Sequence, residues 1–206
     1  MRHDGPLALM ILAAGQSKRM GAVNKLTMSV NDKPLLYHSL KACHDAACGS
    51  VYVITGHDRD IISQLAAPFD ITAIHNADYR QGIGSSIACG ISYLQHHYSD
   101  ILIALGDTPF ITCDMVINIV QSHLARPEHH RLVTRPVYGG HQGHPVIWGR
   151  DFFPKLAKLE GDKGGLSLIP QQALNLVAFH SKDPARDIDK PADIDEIKDV
   201  SDISSP

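Results

Sequence analysis

The chain has no apolar run approaching the roughly 20 residues that a bilayer core demands, so a membrane-spanning segment is not expected. It has no C-x-x-C pair: Cys43, Cys48, Cys89 and Cys113 stand apart, which argues against structural zinc and thioredoxin-type redox chemistry. Neither sign of charge dominates. A formal net charge of -3 over 206 residues gives nucleic acid or an anionic membrane no general attraction. There is no G-x-x-x-x-G-K-[ST] loop and no G-x-G-x-x-G fingerprint, which removes the two commonest glycine signatures. No internal repeat, low-complexity stretch or linker is visible, so residues 1–206 read as a single domain with a short frayed tail over about 201–206. Met1–Gly15 imitates a signal peptide, but its apolar run is only about eight residues and Asp4 interrupts the basic flank. Cys89 and Cys113 lie in apolar segments, as unpaired thiols do, and a cytoplasmic location is expected.

What is present begins with one loop. The apolar run Leu7–Leu12 ends in small residues and opens into Ala13-Ala14-Gly15-Gln16-Ser17-Lys18-Arg19-Met20-Gly21, with Asn24-Lys25-Leu26 close behind. This pattern reads as a buried strand feeding a loop that passes close to a ligand. Two glycines, a hydroxyl and the cations Lys18, Arg19 and Lys25 fall within eleven positions. Glycine lets backbone N–H groups approach an anion, and the cations neutralise it, so a polyphosphate is the natural ligand. The competing reading is a turn carrying solvated basic residues.

Beyond the loop, apolar strands alternate with helical periodicity. Pro34 suits the first position of a helix continued by Leu36, Leu40, Cys43 and Ala47. Strands are expected at Ser50–Thr55, Ile71–His75, Ile101–Leu105, Arg131–Tyr138, Pro145–Trp148 and Leu174–His180, the fourth and fifth joined as a hairpin or a crossover. Helices are expected at Ile61–Ala66, after a loop spanning Asn76–Ser86, around Met115, Ile119 and His123, and at Phe152–Leu159, Gly164–Gln172 and Ile194–Val200. Such alternation implies an α/β fold, a parallel sheet with helices on both faces. Ligands of such sheets bind beyond the carboxyl ends of strands. The Gly15 loop and Asp107 both fall there.

Acidic residues supply the second theme. In Leu105-Gly106-Asp107-Thr108-Pro109 an acid directly follows a buried strand, where a carboxylate can hold Mg²⁺ or cap the helix starting near Thr112. In Asp187-Ile188-Asp189-Lys190-Pro191-Ala192-Asp193, strand alternation puts Asp187 and Asp189 on one side; Asp189 and Asp193 also suit the start of the last helix. The His129-His130 pair reads as solvated surface, and two histidines in His141-Gln142-Gly143-His144-Pro145 are too few for a zinc site.

Leu12-Ala13-Ala14-Gly15-x-Ser17-x-Arg19-Met20-Gly21-x-x-Asn24-Lys25-Leu26 resembles the signature of the MobA-like NTP transferase family, in its molybdenum cofactor cytidylyltransferase branch. The likeness runs from about Leu7 to about Ile197. It implies a Rossmann-like three-layer αβα sandwich with a mostly parallel mixed sheet, of the nucleotide-diphospho-sugar transferase type. It implies transfer of CMP from CTP to a phosphate acceptor, Mo-molybdopterin, with loss of pyrophosphate, and a molybdenum hydroxylase or its chaperone as partner. Arg19, Lys25 and Asp107 would be catalytic. Leu12, Ala13, Ala14, Gly15, Ser17, Arg19, Gly21 and Lys25 would hold the nucleotide, together with Asn76, Gly82, Ser85 and Ser86 from Asn76–Ser86, which resembles the family's nucleotide loop. Asp107 and Asp187 would hold Mg²⁺, with Mn²⁺ as the alternative ion. Gly143 and His144 would contact the acceptor. One departure bears on the acceptor: Gly161-Asp162-Lys163-Gly164 matches a segment that the family continues with Ala-Arg, whereas Gly165-Leu166 follows here. The rival expectations are a sugar- or alcohol-phosphate acceptor, an NAD(P)H-dependent oxidoreductase, and a non-catalytic cofactor chaperone.

Overall fold

A computed structural model describes residues 6–16 and 24–179. Its strands are β1 (Leu7–Ala13), β2 (Ser29–Val30), β3 (Lys33–Pro34), β4 (Ser50–Thr55), β5 (Thr72–His75), β6 (Asp100–Leu105), β7 (Val133–Tyr138), β8 (His141–Gln142), β9 (Val146–Gly149) and β10 (Leu174–Phe179). Its helices are α1 (Leu35–Asp45), α2 (Arg59–Ala66), α3 (Ile83–Leu94), α4 (Cys113–Leu124) and α5 (Phe153–Leu156). Among these residues no helix is long and apolar enough to cross a membrane.

The main sheet runs β10-β7-β9-β6-β1-β4-β5, with β8 beside β7. β1 pairs in parallel with both β4 and β6, and β4 with β5. β9 is antiparallel to β6 and to β7, so the sheet is mixed on that side. The segment after β7 is therefore resolved as a short turn through Gly139-Gly140, where both glycines take positive φ, followed by β8 and a return along β9.

β1 is buried along its whole length because the sheet is covered on both faces. Leu7, Leu9, Ile11 and Ala13 pack with Leu36 and Leu40 of α1, Ile62 of α2 and Val116 and Ile119 of α4. Ala8, Met10 and Leu12 alternate to the other face, against Ile87 and Ile91 of α3 and Phe153 and Leu156 of α5. α1 and α2 thus lie on one face and α3 on the other. The chain reverses its direction of growth between β4–β5 and β6, which makes the gap between the ends of β1 and β6 the switch point of the sheet.

Several local expectations are corrected. Pro34 is the residue before α1, with φ -54° and ψ 142°, and pairs with Ser29 in the small hairpin. Gly164–Gln172 is not a helix: it forms two single turns, Gly165–Leu168 and Gln171–Ala173, separated by Pro170, whose ring forbids the continuous hydrogen-bond ladder. The helix after β9 is shorter than Phe152–Leu159. α3 starts inside the expected loop, so Ser85 and Ser86 belong to its first turn, and the residue before it is Gly82. The Ile194–Val200 helix lies outside the described residues.

Close approach explains one glycine in particular. A Cβ on Gly149, at the end of β9, would sit 2.2 Å from the backbone oxygen of His130. Backbone cannot swing aside as a side-chain tip can. Gly149→Ala is therefore expected to cost about 2 kcal/mol through overpacking, and to lower the midpoint of thermal unfolding by roughly 4–8 °C. An unchanged midpoint would show that the His130 turn yields freely.

Candidate active site

Three turns meet at the switch point. The first carries Lys25. Asn24 shapes it: its side-chain oxygen accepts from the Leu26 N–H at 3.0 Å and Thr27 Oγ1 donates to its carbonyl at 2.8 Å, which closes the single turn Lys25–Thr27. Leu26 is buried in the core and anchors the turn against α1. The second turn follows β6. Thr108 Oγ1 donates to the Leu105 carbonyl at 2.8 Å, and Ser39 Oγ from α1 donates to the Leu105 carbonyl at 3.0 Å and also reaches that of Thr108 at 3.3 Å. Gly106 packs against β1, its N–H donating to the Leu12 carbonyl at 3.0 Å. Asp107 projects from this pinned turn. Lys25 Nζ and Asp107 Oδ2 form an ion pair across 82 positions of sequence, each side chain 19% exposed. Asp107 is not spent as a helix cap, because Thr112 caps α4 through the Met115 N–H.

The third turn, after β4, carries a residue that the sequence reading passed over. Asp58 Oδ2 accepts from Asn24 Nδ2 at 2.7 Å, and Asp58 Oδ1 lies 2.9 Å from His57 Nδ1. Asp58 therefore ties the Lys25 turn to the end of β4. A signal existed: Thr55-Gly56-His57-Asp58 repeats the strand–glycine–acid order of Leu105-Gly106-Asp107. A Cβ on Gly56 would meet the Ala14 carbonyl at 2.5 Å and Tyr79 at 2.7 Å, so this glycine lets the end of β1 and the Asn76–Ser86 segment approach the turn after β4.

Leu12, Ala13 and Ala14 are buried at the end of β1. Gly15 is exposed, and a Cβ there would enter open space, as expected where a ligand approaches. Ser17, Arg19, Gly21 and Asp187 lie outside the described residues, as do Asp189 and Asp193.

The Asn76–Ser86 segment is placed beside Gly56, but its side chains serve one another. Asn76 Nδ2 donates to Ser85 Oγ at 3.0 Å and to Ser86 Oγ at 3.1 Å, while Ser85 Oγ reaches the carbonyls of Asp78 and Gly82. All three side chains are buried. Their hydrogen bonds hold the loop's shape. Gly82, at φ 111°, presses against Gly161 and Asp162, and Gly84 N–H donates to the Gly161 carbonyl at 2.9 Å. Leu166, at the position of the departure, is 50% exposed.

On the other side of β6, the cis peptide His144–Pro145 precedes β9. Gly143 stacks against Tyr138, whose hydroxyl donates to the His144 carbonyl at 3.0 Å. Burial, with the charge of Arg135, holds the His144 imidazole below its ordinary pKa, against the opposing pull of a hydrogen bond at Ile103 and the charge of Asp107. His144 thus feels the charges of both Arg135 and Asp107, in opposite directions.

For a divalent ion, the fitting donor among these residues is Asp107, since hard cations such as Mg²⁺ take one or two carboxylates plus phosphate oxygens from the substrate. The other compact group of ligand-type side chains, Asp100, His123 and His129, is at the opposite end of β6. Hydrogen bonds account for it: Asp100 Oδ1 lies 3.0 Å from His123 Nε2 and 3.2 Å from His129 Nδ1, and Ser99 Oγ donates to Oδ2 at 2.8 Å. His129 is therefore not the solvated residue expected; it partners a buried acid.

Known proteins show the same frame. The chain is 30% identical over 135 residues to the bifunctional protein GlmU of Mycobacterium avium, covering 61% of this chain and 27% of that protein. It thus spans only about a quarter of the length of that relative. A nucleotidyl transferase from Methanothermobacter superposes with a TM-score of 0.80 at 19% identity, covering 97% of this chain and 99% of the other. Rv0371c of Mycobacterium tuberculosis, in a complex with manganese, superposes with a TM-score of 0.75 at 19% identity, covering 94% and 98%. These likenesses show that the α/β fold, with its mostly parallel mixed sheet, is shared with those solved structures. Residues 9–176, from β1 into β10, match the MobA-like NTP transferase domain, and the chain belongs to that family.

Proposed function

We propose that the protein is a cytosolic nucleotidyltransferase that moves CMP from CTP to a phosphate-bearing acceptor, Mo-molybdopterin, in the maturation of molybdenum hydroxylases. The observation that supports the transfer reading is the Lys25–Asp107 pair at the β1/β6 switch point, a cation and an acid of the kinds that phosphate and a divalent ion would need, side by side in one crevice. Cytosine rests on Ala13-Ala14-Gly15, which resembles the cytidylyltransferase branch. The four unpaired cysteines fit a reducing compartment.

In the reaction, an oxygen of the acceptor phosphate attacks the α-phosphorus of the triphosphate. One new P–O bond forms, the bond to the β-phosphate oxygen breaks, and pyrophosphate leaves with that electron pair. A phosphate monoester is already ionised near neutrality, its second pKa being about 6, so no strong general base is required. Catalysis is positioning and charge stabilisation. Lys25 would exchange its bond to Asp107 for phosphate oxygens, and Arg19 would join it on the leaving group. Asp107, with Asp187, would hold Mg²⁺ or Mn²⁺, which neutralises phosphoryl charge when bound. Gly15, Ser17 and Gly21 would line the cradle. The Asn76–Ser85–Ser86 brace would hold the base-side loop, with Gly82 allowing its turn. Gly143 and His144 would border the acceptor.

Thermal unfolding with CTP, GTP and ATP, with and without Mg²⁺, tests this. Only CTP with Mg²⁺ is expected to stabilise strongly, by about 2.7 kcal/mol at a hundred times its Kd. Stabilisation by GTP alone would overturn the base assignment, and no response to any triphosphate would overturn the transfer reading.

A further inference from the structure

Arg135 stands inside an apolar strand, Val133-Thr134-Arg135-Pro136-Val137-Tyr138, and is 8% exposed. Strand alternation explains its direction. Thr134 faces α4, where its hydroxyl lies 2.8 Å from His123 Nδ1, so Arg135 faces the opposite side, that of α3 and α5. There it makes one side-chain hydrogen bond, from Nη1 to Gln142 Oε1 at 2.8 Å. Its Nε is buried without any partner, and among the described residues no carboxylate pairs with it. Burial pushes its pKa down from the ordinary value, yet a guanidinium stays charged in proteins.

A buried cation with no anion is expensive, because its lost hydration is not repaid by an ion pair. Proteins keep such a charge where a ligand supplies the missing partner, and a guanidinium suits an oxyanion because its N–H groups form a planar fork. The surroundings agree. Gln142, bonded to Arg135, is exposed at the sheet edge on β8. His144 feels both Arg135 and Asp107, and its Nδ1 is likewise buried without a partner. Arg135 is on the second strand from β6, β9 lying between, a step of roughly 10 Å at ordinary strand spacing.

We propose that Arg135, flanked by Gln142 and His144, is a specificity residue that binds a second oxyanion, a phosphate or carboxylate, on the acceptor. The acceptor then carries its reacting phosphate at the Asp107 end and another anionic group on the β7 side of β9. This rests on the nucleotidyltransferase reading for the word acceptor; the anion site itself does not.

The test uses inorganic phosphate as the probe and the Arg135 Nε–H nuclear resonance of the wild type as the readout, assigned by through-bond correlation to the Arg135 backbone. With CTP and Mg²⁺ saturating the nucleotide crevice, phosphate should move that resonance saturably, and Arg135→Lys should weaken phosphate binding by at least tenfold because the fork is lost. A resonance that does not move, or phosphate binding equally strong in Arg135→Lys, overturns the proposal. The wild-type titration alone decides if the variants fold poorly. Stabilisation of the wild type by CTP is read separately. Its failure would remove the acceptor role, while a phosphate response at Arg135 would still establish the anion site.

Discussion

Asp107→Asn is expected to lower pyrophosphate release from the nucleoside triphosphate by about 10²–10³-fold, the loss typical of one preorganised electrostatic partner, while leaving the fold nearly as stable as before. The two halves of that expectation have different origins. The Lys25–Asp107 pair is partly exposed, and pairs of that kind contribute at most about 1 kcal/mol to stability. The turn that carries Asp107 is held by other groups, the Ser39 and Thr108 hydroxyls and the Gly106 N–H, none of which the substitution touches. The chemistry is more sensitive. An amide cannot neutralise a cation, so on the proposed reading the Asp107 carboxylate charge is lost from the crevice. Steady-state release measured beside a melting curve separates the effects. Turnover within threefold of wild type would remove Asp107 from the chemistry and, with it, the reason for placing a metal there.

Asp100→Asn should do the reverse: large loss of stability, by about 3–5 kcal/mol, and roughly 10 °C or more in the unfolding midpoint. Asp100 and His123 are fully buried. Burial by itself raises the Asp100 pKa, but the hydrogen bonds from His123, Ser99 and His129 outweigh it and hold the carboxyl below its ordinary value. The asparagine amide would turn a donor toward donors. The pH dependence carries a definite sign. A lowered carboxyl contributes stability that is present above its unfolded pKa of about 3.9 and disappears as pH falls through the lower folded value. The gap between wild type and Asp100→Asn should therefore be full at pH 6 and shrink below about pH 4. A gap that is constant from pH 6 to pH 3 would mean that the carboxylate charge contributes nothing.

These two acids also show how far a linear reading reaches. Asp107 was legible because it follows an apolar run and a glycine, and strand ends point at ligands. Asp100 begins the same strand, but nothing local marks an acid as buried there, because its partners are 23 and 29 positions away and its burial depends on α4 packing over that end of the sheet. His129 was read as surface for the same reason. Ser85 and Ser86 were legible as polar residues near a helix start, yet whether a hydroxyl faces a ligand or Asn76 is a matter of side-chain placement. Nothing in the linear pattern marks Arg135 beyond its place in the strand Arg131–Tyr138, and its burial without an anion depends on every neighbour being in place.

Periodicity and loop chemistry fix the alternation of the longer strands and helices, the covered sheet and the two anchor motifs at strand ends, since these follow from local spacing and backbone constraints along the chain. The strand order, the antiparallel insertion of β9 between β6 and β7, the meeting of Lys25 with Asp107 and the unpaired burial of Arg135 depend on contacts between residues far apart in sequence. Burial and partnership are properties of such contacts, so folding in three dimensions is what assigns them.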